Sequence, residues 1–247
     1  MIRHATLAII ATGVLVLSGC DLIGSETDDP ALKVVEEKAS FEEDEQGWSG
    51  DFSDYPVADS GEGMNLTFDR RALPEDVDTT GHALYLSGRN LSDDLFMFLK
   101  KRISGLEAER SYRVHFEARI ASNAPSNCVG IGGPPGEAVY LKAGAAPIEP
   151  KPVVESGDFR MNVDKGNQST GGEHADVIGN VANGVEECHD TPYRMITRST
   201  EEPIVAETNE NGELWVFVGT DSGFEGTTSL YYHRLNVRAV PVSEGTE

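Results

Sequence analysis

The sequence predicts an all-β protein built as an antiparallel β-sandwich with long loops rich in Gly, Asn and Pro. Apolar and polar residues alternate along several short segments, which is the pattern of strands with one face in a core. Turn-forming sequences such as Asn211-Gly212 and Asp221-Ser222-Gly223 separate these segments. Long amphipathic helical patterns are absent from the sequence. Many short strands separated by turns favour two packed antiparallel sheets.

Four segments show the alternation most clearly, and the apolar residues of each are expected to face the core. They are Met64–Phe68, Tyr112–Ile120, Phe159–Val163 and Tyr231–Val237. In the last segment the odd-numbered residues, which begin with Tyr231, are predicted to point inward.

Two further stretches depart from this alternation. Leu214–Val218 is apolar at every position, which predicts a central strand that is covered on both faces. Residues 122–190 are rich in Gly, Asn and Pro and contain only short apolar runs, so they are predicted to form long loops with short strands between them. Loops of this length in a compact domain are usually functional or held by a cross-link.

The N-terminus has the pattern of an export signal. Arg3 precedes an apolar run from Ala5 to Leu17, which has the length of a signal-peptide core and is short for a membrane span. The run ends in Leu17-Ser18-Gly19-Cys20, which resembles the bacterial lipobox. The resemblance implies that residues 1–19 are removed and that Cys20 is lipidated. We therefore expect an envelope protein anchored by lipid to the inner or the outer bacterial membrane, with its domain in the periplasm or outside the cell.

The chain is strongly acidic, with a formal net charge of -22 that becomes -23 when Arg3 leaves with residues 1–19. Such a charge repels nucleic acid and anionic lipid, so neither is an expected partner. We favour adaptation to a salty medium as the reason for the charge, since salt screens the repulsion between surface carboxylates. Acidic residues also dominate residues 20–40, which are interpreted as a tether. The domain is predicted to span residues 41–242, and residues 243–247 to form a disordered tail.

Two cysteines, Cys128 and Cys188, remain once Cys20 carries the lipid. In an oxidising compartment they are expected to form a disulfide that closes a loop of about sixty residues. The alternative is a metal site that uses them with His189 or His174, although zinc-binding spacing such as C-x-x-C is absent from the sequence.

Several short motifs fall in a characteristic order along the chain. Phe41-Glu42 and Gly47-Trp48 open the domain, Gly105-Leu106 precedes a strand from Tyr112 to Arg119, and a long strand from Leu230 to Val240 ends it. Together they resemble carbohydrate-binding modules of the galactose-binding-like jelly-roll group. The resemblance implies a jelly-roll-like sandwich that binds sugar.

The same resemblance suggests one cofactor, a structural calcium ion. In modules of that group calcium often joins the first strand to the last, and Glu42 and Asn236 stand at the two positions. Asn236 replaces an aspartate that is common there, and an amide oxygen is a weaker calcium ligand than a carboxylate.

Candidate ligand-binding residues are of two kinds. Trp48 and Tyr55 lie in a loop-like segment, where exposed rings can stack on sugars. Arginines on the polar faces of two predicted strands would form a basic patch if those strands share a sheet, and such a patch fits the carboxylate of an acidic sugar. The arginines are Arg113, Arg119, Arg234 and Arg238. The alternative is that they pair with surface carboxylates.

Catalytic motifs are missing from the sequence, which contains neither H-E-x-x-H nor G-x-S-x-G. Asp93 and Asp94 are candidates for an acid pair, but adjacent residues of a strand point to opposite faces. We therefore predict a membrane-anchored, non-catalytic lipoprotein whose sandwich binds a ligand, which the resemblance suggests is a polysaccharide. The alternative is a structural or assembly lipoprotein that contacts other envelope proteins.

Overall fold

Antiparallel strands form almost all the regular structure of residues 33–59 and 63–243, the part of the chain that the computed structural model describes. A 3-10 turn at Val57–Asp59 is the other element there. Helices long and apolar enough to cross a membrane are not found among these residues. The strands are, in chain order, β1 (Val35–Ser40), β2 (Ser49–Ser53), β3 (Tyr55–Pro56), β4 (Thr67–Ala72), β5 (His82–Arg89), β6 (Phe96–Ile103), β7 (Ser111–Ser122), β8 (Val139–Ala146), β9 (Pro152–Glu155), β10 (Asp158–Met161), β11 (Ala175–Asn180), β12 (Arg194–Ser199), β13 (Ile204–Glu207), β14 (Leu214–Ser222) and β15 (Thr227–Pro241).

These strands form two large sheets and one small sheet. The seven-stranded sheet has the order β12-β7-β15-β5-β4, with β1 pairing with β15 and β13 pairing with β7. The five-stranded sheet has the order β11-β8-β14-β6-β2, and β3, β10 and β9 form the small sheet. Neighbouring strands are antiparallel throughout, which confirms the predicted all-β antiparallel class. The export signal, Cys20 and residues 244–247 lie outside the described residues.

The inner faces of the two large sheets share one apolar core. Alternation along the strands directs Leu84 and Leu86 of β5, and Val216 and Val218 of β14, into this space, where each is at most 1% exposed. Burial of one such side chain contributes roughly 1.5–3 kcal/mol. The core therefore holds the two sheets face to face.

The five-stranded sheet is covered on its outer face as well. Phe96 and Phe98 of β6 and Phe217 of β14 point outward, and Val163 packs over them. The rings of Phe96 and Phe217 meet edge to face, with centroids 6.4 Å apart. Because β14 is the middle strand of this sheet and is buried on both sides, the prediction for Leu214–Val218 is confirmed.

The first strand begins earlier than the sequence predicted. Val35–Ser40 form β1 and pair with the second half of β15, so the end of the segment assigned to the tether, residues 20–40, belongs to the domain. Ala39 is 2% exposed, and Glu37 forms an ion pair with Lys101 at 2.6 Å. The acidic composition hid the strand, because Glu36 and Glu37 place a charge on each of its two faces.

Residues 122–190 contain more sheet than predicted. Val139–Ala146 form β8, an eight-residue strand that pairs with β14 along its whole length. This strand is buried on both faces, so it lacks the apolar–polar alternation by which other strands were recognised.

The predicted disulfide joins Cys128 to Cys188, with 5.7 Å between their Cα atoms. Neither sulfur is therefore left for a metal site with His189 or His174. The two cysteines are 60 positions apart and enclose the segment that carries β8 to β11. The bridge thus limits how far apart the two ends of this segment can move in the unfolded chain.

Removal of this disulfide should destabilise the domain. We expect a C128S/C188S variant to lose about 2–4 kcal/mol of unfolding free energy, because its unfolded chain regains the entropy of a long loop. Urea denaturation followed by the fluorescence of buried Trp48 measures the loss. Reductant should lower the unfolding free energy of the wild-type protein by the same amount and leave that of the double variant unchanged. Equal urea midpoints for the oxidised wild-type protein and the variant would contradict the prediction.

Candidate functional site

Three tyrosines lie together on the outer face of the seven-stranded sheet. Tyr85 of β5 and Tyr231 of β15 are direct cross-strand partners, and their ring centroids are 4.8 Å apart. Tyr193, which immediately precedes β12, meets Tyr231 edge to face at 5.3 Å. All three are half-buried, so each keeps part of its surface accessible. We call these three residues the tyrosine cluster.

The outward direction of Tyr231 depends on a β-bulge in β15. The pairing of β15 with β7 shifts register between Tyr232 and Arg234, which leaves His233 as an extra residue. Leu235 points into the core as predicted, but on the other side of the bulge Tyr232 takes the inward position and is fully buried. The prediction that Tyr231 points inward is therefore wrong, since a shift of one residue exchanges the two faces of a strand.

Polar groups surround the rings of the cluster. The guanidinium carbon of Arg71 lies 4.1 Å from the centroid of the Tyr85 ring, which is a cation–π contact. The Tyr85 hydroxyl donates a hydrogen bond to Ser229 at 3.2 Å, and the hydroxyls of Ser229 and Ser87 are 2.8 Å apart. Burial raises the pKa of Tyr231 and of Tyr193. Their hydroxyls therefore stay protonated and can donate and accept hydrogen bonds.

The loop between β4 and β5 fixes the cluster from one side. Leu73 and Val77 of this loop pack with Ala83 on the sheet. The backbone N–H of Tyr193 donates a hydrogen bond to Asp76 Oδ2 at 3.2 Å. These contacts hold the start of β12 next to the loop, so the position of the Tyr193 ring is defined before any ligand binds.

A groove of about 450 Å³ adjoins the cluster, between the start of β15 and the loop that carries the disulfide. Val129 is 98% exposed at this groove and adds an apolar surface. Ser229 connects the groove to the cluster, because it lines the groove and accepts the hydrogen bond from Tyr85. The polar side chains of the groove are Asn123, Asp190, Thr191, Thr227, Thr228 and Ser229. We call the tyrosine cluster and this groove together the outer-face site.

The aromatic residues selected from the sequence lie elsewhere. Trp48 is 3% exposed and Tyr55 is 9% exposed, and both belong to the core between the two large sheets. Tyr55 contacts Phe159 of the small sheet, with ring centroids 5.1 Å apart. The prediction that these rings are exposed is wrong, because the loop-like segment around them forms β2 and β3 and turns the rings inward.

The predicted arginines do share a sheet, since β7 and β15 are neighbours. Arg119 and Arg234 are direct cross-strand partners in the row next to the tyrosine cluster. Arg113 lies towards the opposite end of β7, where it pairs with Val240. Arg238 lies 3.6 Å from a carboxylate oxygen of β1. The structure thus brings two of the four arginines together and places the other two away from the tyrosines.

Glu42 and Asn236, the residues expected to hold calcium, have separate partners. Glu42 accepts a hydrogen bond from the backbone N–H of His82 at 3.1 Å, and the Asn236 amide donates to Glu117 at 2.9 Å. Asn236 pairs with Lys38, four residues before Glu42, which corresponds to about 13 Å of extended chain. Within residues 33–59 and 63–243, no group of three or more His, Cys, Asp or Glu side chains is arranged to hold a metal ion.

Solved structures that resemble this fold include carbohydrate-binding β-sandwiches. The CBM22-1 xylan-binding domain from Paenibacillus barcinonensis Xyn10C covers 86% of this chain and 98% of its own, at 12% identity and a TM-score of 0.39. The carbohydrate-binding module TmCBM27, which recognises mannan, covers 85% and 99%, at 13% identity and a TM-score of 0.36. TmCBM61 in complex with β-1,4-galactotriose covers 74% and 98%, at 11% identity and a TM-score of 0.31.

Sequence comparison adds no relative, since no protein-family model and no curated protein matches this chain. At the identities and TM-scores given above, structural likeness carries no argument about a ligand.

A second cavity, of about 550 Å³, lies outside the five-stranded sheet and is lined by several acidic side chains. Arg160 of β10 is placed among them, 2.9 Å from Asp94 and 2.7 Å from Asp158. Burial raises the pKa of Asp94, and the positive charge of Lys165 opposes this rise. Asp94 lines this cavity and Asp93 does not; both precede β6 and lie outside the strands, so the strand geometry assumed for them does not apply. The Arg160 guanidinium thus forms ion pairs with two of the carboxylates that line this cavity.

A buried ionic network lies beneath this cavity. Lys142 and Asp221 are both fully buried, and the lysine nitrogen is 3.0 Å from Asp221 Oδ2. The nitrogen of Lys165 is 2.8 Å from the same oxygen. Lys142 also donates hydrogen bonds to the main-chain oxygens of Lys165 and Thr170, both at 2.9 Å. The network connects β8 and β14 to the segment that covers them, so we interpret it as structural.

Loss of the carboxylate at the centre of this network should destabilise the domain strongly. We expect D221N to lose about 3–5 kcal/mol of unfolding free energy, because the buried Lys142 ammonium loses its counterion and that of Lys165 is left with Asp54 at 3.5 Å. D158N is the matched control: its carboxylate is partly exposed, and we expect a loss of about 1 kcal/mol or less. Urea denaturation of both variants measures the difference, and equal losses would show that the network is not the main support of the covering segment.

Proposed function

We propose that this protein is a lipid-anchored envelope protein whose outer-face site binds carbohydrate without catalysing a reaction. The tyrosine cluster carries the proposal, because it places three half-buried aromatic rings side by side on the outer face of a sheet. A sugar ring has an apolar face and a rim of hydroxyls. Tyrosine offers the complementary surface, since its ring is apolar and its hydroxyl can donate and accept hydrogen bonds.

The adjoining groove supplies the remaining polar contacts. Asn123, Thr191 and Ser229 offer amide and hydroxyl groups, and Asp190 offers a carboxylate. A volume of about 450 Å³ is within the range of sites that hold small ligands. One wall of the groove includes Cys188, so the disulfide holds this wall in place before a ligand binds and reduces the entropy lost on binding.

The chemistry of the groove supports binding over bond cleavage. Hydrolysis of a glycosidic bond generally needs two carboxyl groups that flank the bond. Asp190 is the one carboxylate among the described residues that line the groove. A single carboxylate can orient a sugar hydroxyl, but it cannot supply both members of such a pair.

The lipid anchor is supported by the sequence Leu17-Ser18-Gly19-Cys20. Residues 21–34 separate Cys20 from the first strand of the domain. A lipid on Cys20 would keep the outer-face site close to the membrane surface, where a short tether raises the effective concentration of the site near envelope glycans.

Substitution of the tyrosines should weaken carbohydrate binding. We expect Y231A and Y193A in the full-length protein each to lower the affinity for a soluble polysaccharide roughly tenfold, because each loses an aromatic contact with the sugar. Isothermal titration calorimetry against xylan, mannan, galactan, alginate and polygalacturonate measures the effect.

Y140A is the matched control for these two variants. Tyr140 is a half-buried tyrosine on the five-stranded sheet, so its removal should leave the affinity unchanged. The proposal would be rejected if no polysaccharide of the panel binds the wild-type protein, or if Y231A and Y193A bind as tightly as Y140A.

Substitution of Cys20 should remove the lipid anchor. Cells that express the wild-type protein and are fed labelled palmitate should yield labelled protein, whereas C20S should carry no label because serine lacks the acceptor thiol. A C128S/C188S variant changes cysteines elsewhere and should keep the label. Label on C20S, or none on the wild-type protein, would rule out lipidation at this position.

A further inference from the structure

Two arginines face each other across the central strands of the seven-stranded sheet. Arg119 of β7 and Arg234 of β15 are direct cross-strand partners on its outer face, and we call them the arginine pair. Arg234 is exposed and Arg119 is half-buried, so both guanidinium groups can be reached from solvent. Within residues 33–59 and 63–243, neither has a carboxylate oxygen within 4.0 Å or donates a side-chain hydrogen bond.

The acidic residues around the arginine pair are engaged with other groups. Glu117 accepts a hydrogen bond from Asn236 at 2.9 Å, and Glu42 accepts one from the backbone of His82 at 3.1 Å. The chain contains 42 acidic residues against 20 lysines and arginines, so counterions are abundant. Among the described residues, both members of the arginine pair are thus without an ion-pair partner, although the chain is rich in carboxylates.

The arrangement also opposes folding. Like charges that are directly opposite on neighbouring strands destabilise a sheet. The field of the pair reaches the bulge between its members. Burial lowers the pKa of His233 and the two arginines lower it further, while the backbone of His82 and the carboxylate of Glu42 oppose this decrease. The histidine therefore stays neutral at pH 7 and adds no positive charge. Arrangements that cost stability in this way are common at functional sites.

The position of the pair relates it to the outer-face site. Arg119 is two residues from Ala121, which pairs with Tyr231, so the pair lies about 7 Å along the strands from the tyrosine row. This separation is on the scale of one sugar ring. Arg71, stacked on Tyr85, is ion-paired with Asp69 at 3.1 Å and adds no unpaired cation, while Asp190 lies in the groove at the other end of the site.

We propose that the arginine pair is a carboxylate subsite of the outer-face site, and that the ligand is a polysaccharide that contains uronic acid residues. The inference rests on the proposed carbohydrate function and specifies its substrate class. A guanidinium binds a carboxylate through two parallel hydrogen bonds, and the pair offers two such groups side by side. A uronic acid ring on the tyrosines directs its carboxylate towards the pair and away from Asp190, and bound carboxylate removes the repulsion between the two arginines.

Polygalacturonate and alginate, each compared with its carboxyl-reduced form, test this inference. Reduction converts every carboxylate to a neutral alcohol and keeps the sugar rings. We expect R119Q and R234Q in the full-length protein to lower the affinity for the acidic polymers roughly ten- to a hundredfold, measured by calorimetry. The same variants should bind the reduced polymers as the wild-type protein does. R113Q is the matched control, because it removes the same charge from an exposed position of β7 away from the site, and its affinities should be unchanged.

The outcomes separate the subsite from the wider function. Equal wild-type affinity for the acidic and the reduced polymers, or equal losses in R113Q and R119Q, would overturn the subsite and leave carbohydrate binding intact. Failure of the wild-type protein to bind any polysaccharide would overturn both proposals. The unfolding midpoints of R119Q and R234Q should equal or exceed that of the wild-type protein, since repulsion is removed; a lower midpoint with unchanged binding would assign the pair a structural role and overturn the inference.

Discussion

β15 carries the pairing on which the rest of the seven-stranded sheet depends. It pairs with β7 along one side and with β5 and then β1 along the other, so backbone hydrogen bonds to three strands fix its position. The bulge at His233 cannot relax without breaking these pairings. It directs Tyr232 into the core and Tyr231 outward, and it places Arg234 opposite Arg119. The register of this one strand therefore determines which of its side chains belong to the outer-face site.

The second large sheet provides stability in place of a binding surface. Its outer face is covered by the segment between β8 and β11. On this face the ring of Phe217 occupies the space that a side chain at position 144 would need, and Gly144 leaves that space free. Lys142 and Asp221 pair beneath this cover without contact with solvent. A buried ion pair is unfavourable unless hydrogen bonds satisfy it, and main-chain oxygens of the covering segment do so here. The open sheet face is thus that of the seven-stranded sheet.

Local pattern predicted some of the strands that have one wet face, and one strand that is apolar throughout. Tyr112–Ile120 lies within β7 and Leu214–Val218 within β14, and both show the expected burial. The pattern failed for β8, because the residues of a strand covered on both faces are set by the groups that pack on it and not by alternation. Gly144 leaves room for the Phe217 ring, and Lys142 pairs with the buried carboxylate of Asp221. It failed for β1 as well, where the acidic residues Glu36 and Glu37 lie on opposite faces of the strand.

By itself the sequence determined the all-β class, the partnership of Cys128 with Cys188 and the placement of the arginines on polar strand faces, because alternation and cysteine number are readable without knowing the neighbours of a strand. Only the tertiary structure decided which side chains share the candidate site. It buries Trp48 and assembles Tyr85, Tyr193 and Tyr231 from three distant parts of the chain. That assembly depends on strand order and on a bulge of one residue, and long-range pairing of this kind leaves no periodic signal in the residues that take part.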